Sequence, residues 1–338
     1  MSSPVVEQAL NIGRLAKTVI AARSYNKARE MLPGADDQTF WNMRQAMSLS
    51  PRVGKAVSKI AFRNASPLAW QVPRPDATRF VDGTETAAAV NGLHRDGFYV
   101  FDHVVDRGLI DSMRDHAQEV PAAPRGAVAD PAPYPRESPA MGRYDIEEQE
   151  VLLSAEMQEF VTDPLMATIA RDYLEQPVVM DEVACWWTTT RNAEDADLNA
   201  QLFHQDRDRL SFLKFFIYLT DVTQETGPHV YLRGSHRRIP NSLRFDGRVT
   251  DESVKRAGLW HEVRELTGPA GTLMAVDTIG LHKGKTPISG DRLALENEFS
   301  TSLFGTAYEQ PTFEPSPLTR QRFAEMPCVL QRYAPALR

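Results

Sequence analysis

The chain has 338 residues, enough for one large domain with extensions or for two ordinary domains. Hydrophobic residues make up 42% and charged residues 25%, so a normal buried core is within reach, while a net charge of −7 argues against a nucleic-acid partner. The two cysteines, Cys185 and Cys328, stand too far apart in sequence to read as a disulfide framework or thiolate cluster, and no apolar run is long enough for a membrane helix.

Glu7, Arg14 and Lys17 interrupt the N-terminus, so no signal-peptide core is readable and a reducing, cytoplasmic setting is expected. A helical extension is expected over residues 1–75. Val6, Leu10, Leu15, Val19 and Ile20 recur at helical spacing, a second run spans Phe40 to Phe62, and "LPG" at 32–34 separates them. Residues 1–65 carry ten Lys/Arg against four Asp/Glu. That basic surface suits a solvated helical face packed on the main domain, or contact with an acidic carrier or a membrane surface.

The main domain is expected over residues 76–310, followed by a tail over 311–338. "DGFYVFDHVV" at 96–105 reads as a strand, and "DRGLIDSMRDHAQEV" after it as a helix with Leu109, Ile110 and Met113 on one face. Six prolines in residues 121–139 mark a long loop, with 121–145 a possible lid. From Val178 the pattern is short strands between turns: "VVMDEVACWWTTT", "FLKFFIYLTDV", "HVYLRG", "GTLMAVDTIGLH" and "RLALENEFSTSLFG". Such a series, with the helices before it, predicts a mainly β, α+β domain built on a sandwich or barrel.

Two His-x-Asp pairs occur, "HRD" at 94–96 and "HQD" at 204–206, and the motif alone carries little weight. His94 and Asp96 precede a turn and read as structural. His204 and Asp206 lie just before the most strand-like run, where residues two apart share a face. His282 ends the strand "GTLMAVDTIGLH" 78 residues later. Two histidines and one carboxylate on one face of a metal leave three positions open, the pattern of non-haem Fe(II) oxygenases. Arg292 lies ten positions further on, and its planar fork suits the distal carboxylate of 2-oxoglutarate. Lys283 and Lys285 compete for that role and are expected in solvent.

The order "HQD", a hydrophobic strand ending in "LTD", then "RGSH", then a histidine with an arginine ten positions on, resembles the phytanoyl-CoA dioxygenase family, as does the "DGFYVFDHVVDRGLIDSMR" segment. The resemblance covers roughly residues 90–305. It implies a double-stranded β-helix (jelly-roll, cupin-like) core, with iron held by His204, Asp206 and His282 and 2-oxoglutarate by Arg292. Dioxygen is the other cosubstrate, and ascorbate a candidate reductant. The implied reaction is hydroxylation of a small metabolite with conversion of 2-oxoglutarate to succinate, and the retained Asp206 favours hydroxylation over halogenation. Desaturation, epimerisation or ring closure in a biosynthetic pathway would use the same groups, and a non-catalytic binding protein would use the same scaffold. The family usually has Pro where Arg233 stands, Trp near Phe216 and Ser near Gly284.

Strand parity nominates the pocket walls. Lys214, Phe216 and Tyr218 share one face, and Arg292 shares its face with Ala294, Glu296 and Glu298. Glu296 or Glu298 is expected to border substrate or to contact Lys214, or else to lie at a wet rim. Trp186 and Trp187 point to opposite faces, and Trp187 is carried as the pocket candidate beside a core reading. Thr188 is a candidate donor to 2-oxoglutarate. Arg143 and Tyr144 are candidates for substrate contact from the lid, or loop anchors. His229 is expected on the strand surface, and His236 in the turn of "GSH". The partner expected is a small molecule, and the oligomeric state stays open.

Overall fold

A computed structural model describes residues 4–28, 36–62, 66–127, 130, 132–191, 200–306 and 310–337. The "LPG" turn lies outside the described residues. In chain order the elements are α1 (Pro4–Ala28), α2 (Asp37–Met47), α3 (Val53–Ala61), α4 (Thr86–Asp96), β1 (Phe98–Val104), α5 (Arg107–Glu119), β2 (Ala123–Pro124), β3 (Arg143–Ile146), α6 (Glu148–Val151), α7 (Ala155–Val161) and α8 (Pro164–Leu174). There follow β4 (Val179–Thr188), β5 (Phe212–Tyr218), β6 (His229–Leu232), α9 (Asp251–Arg256), β7 (Val263–Leu266), β8 (Thr272–Val276), β9 (His282–Gly284), β10 (Arg292–Ser300) and α10 (Pro317–Glu325).

Two antiparallel sheets face each other. The larger runs β1-β8-β5-β10-β4-β3-β2 and the smaller β7-β6-β9. This is a jelly-roll, cupin-like core with flanking helices. Alternation along β5 and β10 explains the layering. Leu213, Phe215, Ile217, Leu293, Leu295 and Phe299 turn toward the helices and join one apolar core with Ile110, Phe160 and Leu165. Phe216, Tyr218 and Ala294 turn the other way and meet Tyr231 and Leu266 of the smaller sheet. A sheet covered on both faces needs strands that are apolar throughout, apart from the positions that line a site. β5 and β10 are buried along their whole length, so Lys214, Arg292, Glu296 and Glu298 stand out as those positions.

Three expectations are corrected. "GTLMAVDTIGLH" is not one strand: β8 ends at Val276 and a turn carries the chain to β9 in the other sheet, with the amide of Gly280 donating to the carbonyl of Asp277 at 3.0 Å. The "HQD" segment is not a regular strand. Phe203 and His204 form single bridges to Val249 and His282. The proline-rich segment ends in β3, which pairs with β4, so Arg143–Ile146 belongs to the sheet rather than to a lid.

The N-terminal helices dock on the main domain. Leu210 and Phe304 share an apolar cluster with Met43, Met47 and Val57. Lys55 and Lys59 meet Glu175, at 3.3 and 2.5 Å, and Arg44 meets Asp246 at 2.8 Å. Three of the basic side chains counted in the sequence therefore face carboxylates of the main domain. At the other end, Phe313, Met326, Val329, Leu330 and Tyr333 enter the main core beneath the larger sheet.

Candidate metal centre and its pocket

The bridge between His204 and His282 is reciprocal: each backbone amide donates to the other's carbonyl, at 2.9 and 3.0 Å. This pairing sets the two rings 4.3 Å apart. Asp206 is held by its own amide, which donates to the carbonyl of Thr278 at 2.9 Å. One ligand atom from each of His204, Asp206 and His282 then lies within 4.8 Å of the others.

Each imidazole is oriented by the backbone. His204 Nδ1 lies 2.9 Å from the carbonyl of Leu202, and His282 Nδ1 lies 3.0 Å from that of Gly280. A carbonyl only accepts, so Nδ1 carries the proton and Nε2 keeps its lone pair. Both Nε2 atoms turn to Asp206, each 3.6 Å from a carboxylate oxygen. Burial, with the neighbouring His282, pushes His204 down to about 3, so it is neutral at working pH. Burial opposes the charge on Asp206, but the Lys214 ammonium and the two histidines outweigh it and hold the carboxyl below its ordinary range. Two imidazoles presenting Nε2, beside an ionised carboxylate, are the donor set that a divalent iron takes.

The centre opens on a cavity of about 790 Å³ between the sheets. Arg292 lines the same cavity, 5% exposed, with one terminal nitrogen donating to the Thr188 hydroxyl at 3.1 Å and the other to the carbonyl of Gly227. Its Nε has no hydrogen-bond partner among the described residues. Gly284, the last residue of β9, leaves room for this fork, because a Cβ there would sit 3.3 Å from the guanidinium. The site thus provides a buried cation with spare donors on the wall of a metal-capable cavity, which fits a keto acid bridging the two. Lys283 and Lys285 are tied instead to Asp251 and Glu265, at 2.6 and 2.8 Å, and are not free in solvent.

The remaining candidates divide. Phe216, Lys214, Glu296 and Arg143 line the cavity. Arg143 lies over the Trp186 ring, 4.3 Å from its centroid, and donates to Asp145 at 2.7 Å. Glu296 pairs with Lys214 at 2.7 Å. Glu298 is not at a wet rim: it is 1% exposed beneath the cavity, 3.5 Å from Lys214. Tyr218 does not reach substrate space. Its hydroxyl donates to the carbonyl of Leu266 at 2.7 Å and accepts from the amide of His229 at 3.0 Å. Trp187 is the wrong member of its pair: it stacks on Tyr134 at 4.5 Å within the helix-facing core, and Trp186 lines the cavity. Tyr144 is an anchor, its hydroxyl accepting from the amides of Ala140 and Met141 at 2.8 and 3.1 Å.

His229 corrects the surface reading. It is 8% exposed, lines the cavity, and its ring lies parallel to His282 at 5.4 Å and 5.0 Å from Phe216. Burial first, then the positive neighbours, holds it well below the ordinary histidine range. Sequence reasoning also ranked Trp186 behind Trp187, and it missed Glu182 and Arg125. Parity with Thr188 would have found Trp186 and Glu182 once β4 was paired to β10, because Arg292 opposes Thr188 and Ala294 opposes Trp186.

Comparison with known proteins adds the lineage. A family model described as phytanoyl-CoA dioxygenase (PhyH) matches residues 93–292. No curated protein matches. Among solved structures, HygX from Streptomyces hygroscopicus with nickel and 2-oxoglutarate bound is similar at 18% identity, over 66% of this chain and 89% of that one, with a TM-score of 0.46. AviO1 from Streptomyces viridochromogenes Tue57 is similar at 18% identity, over 66% and 98%, with a TM-score of 0.45. EctD from S. alaskensis with bound Fe is similar at 19%, over 63% and 76%, with a TM-score of 0.45. The assignment rests on the family model, whose span takes in both histidines, the aspartate and Arg292: the chain belongs to the phytanoyl-CoA dioxygenase family of iron- and 2-oxoglutarate-dependent enzymes.

Proposed function

We propose that this protein hydroxylates an unactivated C–H bond of a small metabolite, with His204, Asp206 and His282 holding iron and Arg292 holding 2-oxoglutarate. The observation that carries the reading is the convergence of the three ligand atoms within 4.8 Å on a cavity whose wall also bears Arg292. Iron(II) with 2-oxoglutarate and dioxygen supplies, when bound, the oxidising equivalent for C–H cleavage, and the keto acid leaves as succinate and carbon dioxide.

The chain's own residues do the positioning. Leu202 and Gly280 carbonyls fix the two imidazoles, and Lys214, 3.4 Å from Asp206 Oδ2, holds the carboxylate from behind. Thr188 and Gly227 aim the Arg292 fork. Trp186 and Phe216, edge to face at 6.3 Å, give the cavity an apolar wall that limits water near the reacting carbon. Desaturation, epimerisation and ring closure would share all of this, because they part from hydroxylation through substrate pose.

The test is anaerobic addition of Fe(II) and 2-oxoglutarate to the purified protein. A weak visible charge-transfer band, absent with either component alone and lost in His282→Ala, is the expected result. No band, or a band that survives His282→Ala, overturns the proposal.

A further inference from the structure

The family is named for a fatty acyl substrate, but this cavity is lined by ionisable side chains. Among the described lining residues, Trp186 and Phe216 present the only large apolar surfaces, while Arg44, Arg143, Lys214, Glu182, Asp208 and Glu296 all face in. Seating an aliphatic chain there would strip water from these charges with nothing to replace it.

The charges are also unevenly placed. Sheet register puts Lys214 of β5, Glu298 of β10 and Glu182 of β4 in one row. Lys214 is the only cation in that row, and it gives its short contact to Glu296 of the next row, at 2.7 Å. Asp206, Glu298 and Glu182 lie further off, at 3.4, 3.5 and 4.0 Å. Iron would take up the charge of Asp206, leaving three carboxylates for one ammonium. Two features mark the deficit. Glu298 is 1% exposed, and its Oε2 has no hydrogen-bond donor among the described residues. Among the described residues Glu182 has Lys214 only at 4.0 Å, and half of its side chain, 50%, remains open within the cavity. At the other end of the cavity, Arg125 and Arg143 share the single carboxylate of Asp145, at 2.7 Å each, so that end carries the opposite excess.

We infer that the substrate is a small polar molecule carrying a protonated amine, which Glu182 receives at the carboxylate-rich end of the cavity. The inference rests on the oxygenase reading of the metal centre for what happens next, but the cation site itself is independent of iron. A charged hydrogen bond from an ammonium to an otherwise unsatisfied carboxylate is a strong recognition element. Glu296 and Glu298 lie deeper, beside Lys214, so the incoming cation is left to Glu182.

The test uses L-arginine, L-lysine, putrescine and glucosamine as probes, with glucose, glutarate and palmitoyl-CoA as neutral, anionic and acyl controls. Binding to the metal-free protein is followed by tryptophan fluorescence, which Trp186 reports. Stimulation of 2-oxoglutarate consumption is followed separately with Fe(II) present. We expect at least one amine probe to bind and to stimulate, the controls to do neither, and Glu182→Gln to raise the half-saturating concentration about tenfold or more, with Glu182→Asp retaining binding and circular dichroism confirming the fold. The inference is overturned if no amine probe perturbs the fluorescence, if a control binds as well as the amines, or if Glu182→Gln leaves binding unchanged. Amine binding without any Fe(II)- and 2-oxoglutarate-dependent band would uphold the cation site and sink the oxygenase reading instead.

Discussion

Trp186 and Trp187 are chemically identical and one position apart, yet opposite in consequence. Trp187 is fully buried against Tyr134, so Trp187→Ala should lower stability by about 3–5 kcal/mol, read in a denaturant melt. Trp186→Ala removes a cavity wall from a side chain that is 7% exposed, so it should lower stability less than Trp187→Ala while uncoupling 2-oxoglutarate consumption from product formation. Loss of stability in the second variant and not the first would reverse the assignment. At Arg292 the fork matters as well as the charge. Arg292→Lys keeps the charge but loses the paired contacts to Thr188 and Gly227. It should raise the half-saturating 2-oxoglutarate concentration about tenfold to a hundredfold, the equivalent of one or two charged hydrogen bonds, with iron affinity retained. Equal loss of iron would mean that Arg292 supports the fold rather than the keto acid. These residue-scale assignments follow from parity: residues spaced by two on β5 and β10 share a face, and the apolar set identifies which face is core. His229 escaped that logic because its strand has only four residues, too few for a pattern to emerge.

At the scale of elements, the centre is assembled by pieces too short to read as strands. β9 is three residues long, and His204 belongs to a single bridge. Their hydrogen bonds come from partners far away in the chain, so no local periodicity announces them. The docking of α3 is equally specific. Gly54 packs so closely that a Cβ would stand 1.9 Å from the carbonyl oxygen of Leu210, six residues after His204. Gly54→Ala should therefore push α3 off the domain, costing about 1–3 kcal/mol by overpacking. A thermal melt checks this, and an unchanged or raised melting temperature would show that the helix is free to shift. Because Arg44 of α2 lines the cavity beside Asp208, 3.8 Å away, the same variant should also weaken substrate use.

At the scale of the whole molecule, one buried acid links the turn after β8 to α8. Asp277 accepts from the Tyr173 hydroxyl at 2.5 Å and from the amide of Ile279 at 3.1 Å. Burial outweighs these bonds and pushes the carboxyl up to about 6 from an ordinary 3.8. A folded value above the unfolded one means that folding takes up a proton, so the contribution is full below the unfolded value and is lost as pH rises through the folded one. Stability should fall by roughly 3 kcal/mol between about pH 3 and pH 7 on this account, at about 1.36 kcal/mol per unit. Asp277→Asn should flatten that part of the curve in melts taken across the range, and a slope identical to the parent would refute the account.

The sequence by itself determined the fold class, the identity of the ionisable inward positions on β5 and β10, and the set His204, Asp206, His282 and Arg292 as residues to bring together. Side-chain alternation and donor chemistry are local properties, visible in the order of residues. Tertiary structure alone decided which tryptophan meets the cavity, that Tyr218 and Tyr144 are structural, and that His229 lies against His282. Each of these depends on which strand becomes whose neighbour. That choice is made by hydrogen bonds and packing between segments far apart in the chain, as with Arg292 and Thr188, 104 residues apart, and no local pattern records it.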